Sequence, residues 1–345
     1  MIRVDTLCHT LLRESVLCTS FAKFVHNGAK LVNLLIAAIF FVIFALMKLM
    51  RKIVFVYNPV SGTHRLIPVV PIIERFVNRD LYDFNIVSTQ YPGHATELAR
   101  QYAAQNYDAV FAVGGDGTVN EVARGLIGTN TALGIIPCGS GNGLARHLGI
   151  SLDPFKAVKW LDKSIFSEID YGMIEDHPFL CTCGVGFDAK VTDVFSKAGS
   201  RGVLTYLESI MKEIATYRNE TYKLSFDNSS ETFEAFFITC ANADQWGNNA
   251  FIAPTASLQD GLLDVVAAHP FNVVDAPLIA FQLFNKLIDK NPKVSVRKCR
   301  QLTITRKAAG PAHYDGEPVT LGTEIHIKLI EKGLRVLIPD KRRMI

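Results

Sequence analysis

Three glycine-rich stretches contain the residues best suited to chemistry in this chain. They are Asn58-Pro59-Val60-Ser61-Gly62, Gly114-Gly115-Asp116-Gly117-Thr118 and Gly139-Ser140-Gly141-Asn142-Gly143. Glycine lets the backbone approach a ligand closely, and successive amide groups at such turns form an anion site. The carboxylate of Asp116 makes sense beside phosphates if it holds Mg²⁺, since magnesium binds carboxylate and phosphate oxygens. A tight strand-to-helix turn with Asp116 as helix cap is the alternative.

Each stretch follows a predicted buried strand, over residues 52–57, 109–113 and 133–136. A further strand is predicted at residues 84–88, and apolar residues at helical spacing predict helices between the strands. This alternation predicts an α/β domain with a mostly parallel sheet, in which ligands bind at the carboxyl ends of the strands. The glycine-rich stretches are therefore expected at one edge of this sheet.

The pattern changes after about Leu161, where short strand-like runs replace the alternation. Many strands with few crossovers predict an antiparallel β-sandwich or flattened barrel. Predicted helices over residues 203–217 and 277–288 interrupt it, and three of its predicted strands cover residues 233–240, 324–329 and 335–338. We divide the chain into an extension (1–50), an α/β domain (51–163), a β-rich domain (164–330) and a segment returning to the first domain (331–345).

Composition narrows the function further. The 36 basic and 33 acidic side chains leave a net charge of +3, which gives no support to nucleic-acid binding. Seven scattered cysteines form no C-x-x-C pair, so we expect buried free thiols in a reducing compartment. Nine histidines without close pairing indicate no zinc site. The absence of a G-x-S-x-G sequence argues against an acyl hydrolase.

The amino-terminal extension has two interpretations. Residues 31–47 are apolar except for Asn33, at the short end of what spans a bilayer. Basic residues on both sides leave the orientation of such a helix open. Alternatively, translation begins at Met47 or Met50, and the preceding residues are not part of the working protein. Amino-terminal sequencing of the native protein would decide between an anchor and a misplaced start.

The three motifs together resemble a known family. N-P-x-S-G, G-G-D-G-T-x-N-E and G-S-G-N-G-L-A-R, in this order, resemble the diacylglycerol kinase catalytic domain, and most closely the soluble bacterial lipid kinases of that superfamily. The resemblance runs from about Arg51 to Ile338. The G-G-D-G-T element is shared with NAD kinases, which do not pair it with both other motifs. The resemblance implies transfer of the γ-phosphoryl of MgATP to a lipid hydroxyl, with diacylglycerol as the leading acceptor.

The resemblance also implies roles for individual residues. Nucleotide and its Mg²⁺ would be held by Asn58, Pro59, Val60, Ser61, Gly62, Thr89, Gly115, Asp116, Gly117, Thr118, Val119, Asn120, Glu121 and Ser140. A structural magnesium ion would take the carbonyl groups of Ser257 and Leu262 and the side chain of Asp260. Without the family, an ordinary hairpin turn is the preferred interpretation of Asp260-Gly261.

Asp315-Gly316-Glu317 matches the family's D-G-E signature, which implies catalytic roles for Asp315 and Glu317, with Asp315 as general base. Sequence spacing does not show that Asp315 reaches the glycine turns, and a turn aspartate between two strands is the alternative.

The expected partner is a membrane lipid rather than nucleic acid, and the sequence leaves a homodimer open. The expected location is the cytoplasmic face of the cell membrane, by an anchor or peripherally, or the cytoplasm if translation starts near Met50. Rival functions are a sphingoid-base or ceramide-type lipid kinase, an NAD kinase, and a catalytically inactive regulator that binds nucleotide or lipid. The intact carboxylates of Asp116, Asp260, Asp315 and Glu317 argue against the regulator.

Overall fold

The computed structural model describes residues 50–62, 68–190, 217–271 and 273–340. Contacts divide the chain into residues 1–51 and 52–345, and the elements below belong to the second unit apart from the first residue of the first strand. The apolar segment 31–47 and nearly all of the predicted helix 203–217 lie outside the described residues. Within the described ranges, no helix is long and apolar enough to cross a membrane.

The first lobe, residues 52–163, alternates strands and helices as predicted. Its strands are β1 (Arg51–Tyr57), β2 (Tyr82–Ser88), β3 (Ala109–Gly114) and β4 (Ala132–Pro137). Its α-helices are α1 (Val69–Phe76), α2 (His94–Ala104), α3 (Asp116–Leu126), α4 (Gly143–His147) and α5 (Pro154–Lys159), followed by a 3-10 helix (Trp160–Lys163). Because β3 and β4 are covered on both faces, every residue in them is buried.

The second lobe, residues 164–340, is mostly strands. They are β5 (Ser164–Ile174), β6 (His177–Phe179), β7 (Thr182–Gly186), β8 (Glu220–Phe226), β9 (Ser229–Ala235), β10 (Phe237–Ala241), β11 (Leu263–Ala268), β12 (Val294–Cys299), β13 (Gln301–Arg306), β14 (Gly310–Tyr314), β15 (Glu317–Leu321) and β16 (Glu324–Pro339). It also contains the helix α6 (Ala276–Phe284), flanked by 3-10 helices at Val273–Asp275 and Ile288–Lys290.

Two sheets organise these strands. The larger has the order β2-β1-β3-β4-β16-β13-β8-β9, with β5 paired to β16 and β6 paired to β5, and the smaller has the order β12-β11-β10-β7-β14-β15. Strands β1, β3 and β4 are parallel, so their carboxyl ends share one edge. Apolar residues of β8 and β13 pack against those of β7 and β10, which forms a sandwich core between the sheets. The predicted fold class, parallel α/β followed by an antiparallel sandwich, is confirmed.

Strand β16 links the two lobes. Its first half pairs with β13, and its second half pairs with β5 and, in parallel, with β4 through Val336 and Leu133. The separate strands predicted at 324–329 and 335–338 are therefore one strand with an irregularity between Ile330 and Leu334. The single strand predicted at 233–240 is two strands, β9 and β10. The hairpin β14–β15 turns at Asp315, the alternative that the sequence left open for this residue, although its two strands were not predicted.

Candidate active site

The three glycine turns lie side by side at the carboxyl edge of β1, β3 and β4. A Cβ atom added to Gly139 would lie only 2.5 Å from the Cα of Gly115, so the second and third turns touch backbone to backbone. One added to Gly115 would lie 3.8 Å from the Oγ of Ser61 in the first turn. Only glycine allows this approach. The predicted convergence of the turns at one edge is present.

Asn58 ties the first turn to the second. Its side-chain amide donates to the Oγ1 of Thr118 at 3.0 Å, and its Oδ1 accepts the amide of Val60 at 3.1 Å. The Oγ of Ser61 is buried and has no hydrogen-bond partner among the described residues. A buried hydroxyl without a partner is costly, so this donor fits a ligand that accepts hydrogen bonds, such as a phosphate oxygen. Val60 is exposed.

Asp116 ties the second turn to the third. Its carboxylate accepts the amide of Asn142 at 2.8 Å and that of Gly143 at 2.7 Å, one on each oxygen. Asp116 therefore binds the start of α4. Its side chain does not cap its own helix α3, the alternative that the sequence left open. Each oxygen keeps a further lone pair, and the side chain is partly exposed. This donor fits a Mg²⁺ ion that takes its other ligands from phosphates and water.

The remaining residues with implied nucleotide roles surround these turns. The amide of Thr89, after β2, donates to the carbonyl of Tyr57 at 2.9 Å. The Glu121 side chain accepts the amide of Ala95 at 3.1 Å, so it caps α2. Gly117 and Ser140 are exposed, whereas Val119 and Asn120 are buried.

Asp315 occupies the tight turn of the β14–β15 hairpin. Asp315 and Gly316 both have positive φ angles, 48° and 82°, as a two-residue hairpin turn requires. The carboxylate of Asp315 accepts the backbone amides of Leu180 at 2.6 Å, Cys181 at 2.8 Å and Thr182 at 3.0 Å. Burial raises the pKa of Asp315 to about 6, although these three hydrogen bonds lower it. A carboxyl group with this pKa can accept a proton near neutral pH.

Asp315 and Asp116 lie near each other where the two lobes meet, and we call the space around them the crevice. Gly143, whose amide binds Asp116, would carry an added Cβ 3.6 Å from the Sγ of Cys181. The amide of Cys181 in turn binds Asp315. Burial is the main cause of the raised pKa of the Cys181 thiol, and the negative charges of Asp315 and Asp116 both add to it. The two carboxylates are therefore separated by little more than Gly143 and Cys181.

Glu317 lies beside this crevice in a different environment. Its carboxylate pairs with the guanidinium of Arg124 on α3 at 2.8 Å, and Arg124 also lies 5.2 Å from the ring centre of Tyr314. Glu317 thus joins the hairpin of the second lobe to the helix that begins at Asp116. This position fits a residue that holds the lobes together better than one that touches the reacting atoms.

A loop that the sequence prediction missed also borders the crevice. We call residues 244–249, which follow β10, the crevice loop. Asp244 pairs with the Nδ1 of His147 at 2.9 Å, and Asn249 accepts the guanidinium of Arg146 at 2.9 Å. Arg146 and His147 follow the third turn, so their contacts with the crevice loop connect this turn to the second lobe. The Gly-Asn-Asn sequence at 247–249, with three positive φ angles, was the available signal.

The predicted structural magnesium site fits the residues poorly. The Nζ of Lys298 lies 2.7 Å from Asp260 Oδ2 and 3.1 Å from Asp264 Oδ2, and donates to the carbonyl of Thr255 at 3.4 Å. The other oxygen of Asp260 accepts the amide of Leu262 at 3.2 Å. An ammonium group therefore occupies the oxygen cluster formed by Asp260, Asp264 and Thr255, where it would repel a divalent cation. The described residues contain no other cluster of metal-binding side chains.

Comparisons with known proteins match both lobes to protein families. Residues 52–174 match the diacylglycerol kinase catalytic domain, and residues 181–337 match the YegS C-terminal NAD kinase beta sandwich-like domain. The chain is 28% identical over 294 residues to a diacylglycerol kinase of Bacillus subtilis, covering 81% of this chain and 96% of that protein. It is 28% identical over 232 residues to the "Probable lipid kinase YegS-like" of Chromohalobacter salexigens, covering 66% and 75%.

A solved structure extends the likeness to the whole fold. The crystal structure of a diacylglycerol kinase from Bacillus anthracis strain Sterne superimposes with a TM-score of 0.65 at 20% identity, covering 84% of this chain and 97% of that one. At this identity the match concerns the fold alone, whereas the two matched domains together cover nearly all of the described residues. The chain therefore carries a diacylglycerol kinase catalytic domain followed by a YegS C-terminal NAD kinase beta sandwich-like domain.

Proposed function

We propose that this protein is an ATP-dependent lipid kinase whose acceptor is diacylglycerol and whose product is phosphatidic acid. The observation that carries the proposal is the shared crevice, in which Asp116 of the glycine turns and Asp315 of the second lobe lie on opposite sides of Gly143 and Cys181. The names of the relatives in Bacillus subtilis and Chromohalobacter salexigens support a lipid as acceptor.

The glycine turns would bind the triphosphate. Their backbone amides and the unpaired hydroxyl of Ser61 offer donors to phosphate oxygens. Asp116 would hold Mg²⁺, which neutralises phosphate charge as the phosphoryl group is transferred. The contacts of Asn58 with Thr118 and of Asp116 with Gly143 fix the turns before nucleotide binds. Such preorganisation lowers the barrier without cost at the moment of reaction.

Asp315 would act as the general base. Among the described residues its Oδ2 accepts only the amide of Leu180, so one lone pair remains for the proton of the acceptor hydroxyl. The three amide bonds hold the carboxylate in one orientation, and the raised pKa matches a base that works near neutral pH. As the hydroxyl oxygen attacks the γ-phosphorus, its proton passes to Asp315 and ADP leaves.

A phosphotransfer assay with ATP labelled on its γ-phosphate tests the proposal. Diacylglycerol, ceramide, a sphingoid base and NAD are offered separately, and we expect label in diacylglycerol. Preferential labelling of another lipid would mean that this lipid, and not diacylglycerol, is the acceptor. Labelling of NAD would mean that the protein is an NAD kinase and not a lipid kinase. Binding of ATP without transfer to any acceptor would indicate a regulator.

A substitution at the base tests the mechanism. We expect Asp315→Asn to reduce the rate of transfer by about 10²–10⁴-fold, because the amide cannot accept the proton. The affinity for ATP should stay close to that of the parent protein. Asp83→Asn, on the exposed surface of β2, is the matched control and should change neither quantity. A normal turnover number for Asp315→Asn would remove Asp315 from the base role.

A further inference from the structure

An apolar surface surrounds α6 in the second lobe. Val274, Leu278, Phe281, Phe284 and Leu287 are 89%, 54%, 58%, 58% and 41% exposed, and they make up half of the ten strongly exposed large apolar residues in the described ranges. We call these five residues the apolar patch. Single exposed apolar side chains are ordinary, but a cluster that includes two phenylalanines indicates a surface that binds another apolar surface.

The composition of α6 supports this interpretation. The helix Ala276–Phe284 contains no charged residue, and Ile279 is its one buried side chain. A helix on the surface of a soluble domain normally turns charged residues toward water. Both ends of α6 are fixed to the lobe, because Asp275 pairs with Lys293 at 2.7 Å and the side chain of Asn291 donates to that of Gln282 at 2.7 Å. The patch is therefore carried on an anchored element.

The patch lies next to the crevice loop. The amide of Phe251, two residues beyond that loop, donates to the carbonyl of Leu283 in α6 at 2.9 Å. The Nζ of Lys286 lies 4.2 Å from the ring centre of Phe251. The crevice loop in turn contacts the third glycine turn through Asn249 and Arg146. A surface bound to the patch would therefore lie close to the crevice that holds Asp116 and Asp315.

We propose that the apolar patch is the surface by which this protein docks on a lipid bilayer, with the crevice facing the membrane. This proposal rests on the proposed function, because the acyl chains of a diacylglycerol stay in the bilayer and the kinase must come to them. Amphipathic elements of this kind insert their apolar side chains into the boundary between headgroups and acyl chains. Lys286 and Lys290 are exposed beside the patch, where anionic headgroups would attract them.

Diacylglycerol in vesicles and diacylglycerol in solution allow membrane docking to be tested separately from phosphoryl transfer. The full chain and its Phe281→Gln/Phe284→Gln variant are assayed with long-chain diacylglycerol in phosphatidylcholine–phosphatidylglycerol vesicles, and with short-chain diacylglycerol dissolved as monomers. We expect kcat/KM on vesicles to fall by about tenfold or more, because two buried phenyl groups are lost from the contact. The value for dissolved substrate should be unchanged. Leu81→Gln/Leu152→Gln, two exposed leucines of the first lobe, is the matched control.

Three outcomes would overturn the docking proposal. The first is a variant whose activity on vesicles equals that of the parent protein. The second is a variant that loses activity equally on both substrates, because its loss then does not depend on the membrane. Light scattering that finds a dimer in the parent and a monomer in the variant, with vesicle activity retained, would make the patch a contact between copies. A parent protein inactive on both substrates would refute the proposed function instead, and sedimentation of the same variants with the vesicles would then test docking directly.

Discussion

At the scale of single residues, the environment of Asp315 contains two opposing effects. Burial favours the neutral carboxylic acid, whereas three backbone amides favour the carboxylate. Burial is the larger effect, so the pKa rises to about 6 from the ordinary value near 4. The group is ionised at neutral pH but binds a proton readily, which is the property that a general base needs.

The raised pKa predicts how activity depends on pH. As pH falls below about 6, Asp315 becomes protonated and can no longer accept the proton of the acceptor hydroxyl. We expect kcat/KM for diacylglycerol to fall about tenfold per pH unit below that value. The affinity for ATP, measured over the same pH range, is the control and should change less. A kcat/KM that stays flat down to about pH 5 would contradict the assignment.

The contact between Gly139 and Gly115 predicts a second effect at this scale. In Gly139→Ala, the new methyl group would meet the Cα of Gly115 at 2.5 Å, and the backbone there cannot rotate away as a side chain would. The second and third turns must separate, so we expect KM for MgATP to rise about tenfold. Gly322→Ala is the control, because its added Cβ would meet open space. Unchanged ATP kinetics in Gly139→Ala would mean that the turns tolerate displacement.

The residues of the site were only partly predictable from sequence. The positions of the glycine turns follow from strand order, because parallel strands end at one edge. The partners of Asp116 and Asp315 were not predictable, since both bind backbone amides, which have no sequence signature. Likewise, the pairing of Glu317 with Arg124 joins two lobes, and no local spacing could predict it.

At the scale of elements, the turn around Asp260 shows how the ammonium group of a lysine can take the place of a metal ion beside carboxylates. Partial burial opposes the charge of Lys298, but the carboxylates of Asp260 and Asp264 raise its pKa above the ordinary value. The side chain of Asp264 is completely buried, and its Oδ2 contacts this ammonium at 3.1 Å. Strand β12 therefore supplies through Lys298 the positive charge that the family resemblance assigns to a metal ion.

Removing Lys298 should convert this turn into a metal-dependent one. In Lys298→Met the buried carboxylate of Asp264 loses its counter-charge, and we expect the free energy of unfolding to fall by about 2 kcal/mol. Added Mg²⁺ should raise the Tm of this variant, but not that of the parent protein, when no nucleotide is present. Differential scanning calorimetry measures both effects.

Lys290→Met provides the comparison for Lys298→Met, because the pair of Lys290 with Asp289 at 3.0 Å is largely exposed on the lysine side. We expect it to change stability by less than about 1 kcal/mol. A parent protein whose Tm rises with Mg²⁺ alone would mean that the ion displaces Lys298 and that the metal site exists.

The sequence predicted which strands exist better than it predicted where each strand begins and ends. Continuous apolar runs predicted β1, β3 and β4, because strands covered on both faces are nearly continuous in apolar residues. Strand β16 was divided in two because Glu331-Lys332-Gly333 resembles a turn in sequence. In the structure Lys332 has a φ angle of 50°, and Gly333 packs on the ring of Tyr171, so the chain bends and then continues as a strand.

At the scale of the whole molecule, β16 makes the two lobes parts of one sheet. The strands β4 and β5, which pair with β16, belong to the same sheet as β13 and β8 of the second lobe. Val336, in the middle of this connection, is completely buried. The two lobes that border the crevice therefore share a continuous hydrogen-bonded sheet, and the hairpin that carries Asp315 belongs to the smaller sheet that packs against it.

The shared sheet predicts that both lobes unfold together. The chain has two tryptophans, Trp160 in the first lobe and Trp246 in the crevice loop of the second. Variants that keep one of them, Trp246→Phe or Trp160→Phe, report each lobe separately by fluorescence. We expect coincident urea transitions for the two variants, because β16 joins β4 of the first lobe to β13 and β5 of the second in one sheet.

Adding Val336→Ala to each single-tryptophan variant makes this test decisive. The lost methyl groups leave a cavity between β4 and β5, which should cost about 2 kcal/mol and lower both urea midpoints by the same amount. Glu324→Gln, exposed at the start of the same strand, should leave both midpoints in place. If Val336→Ala shifted only the Trp160 signal, the lobes would be independent folding units. The alignment of the crevice would then depend on side-chain pairs such as Arg124 with Glu317 rather than on the sheet.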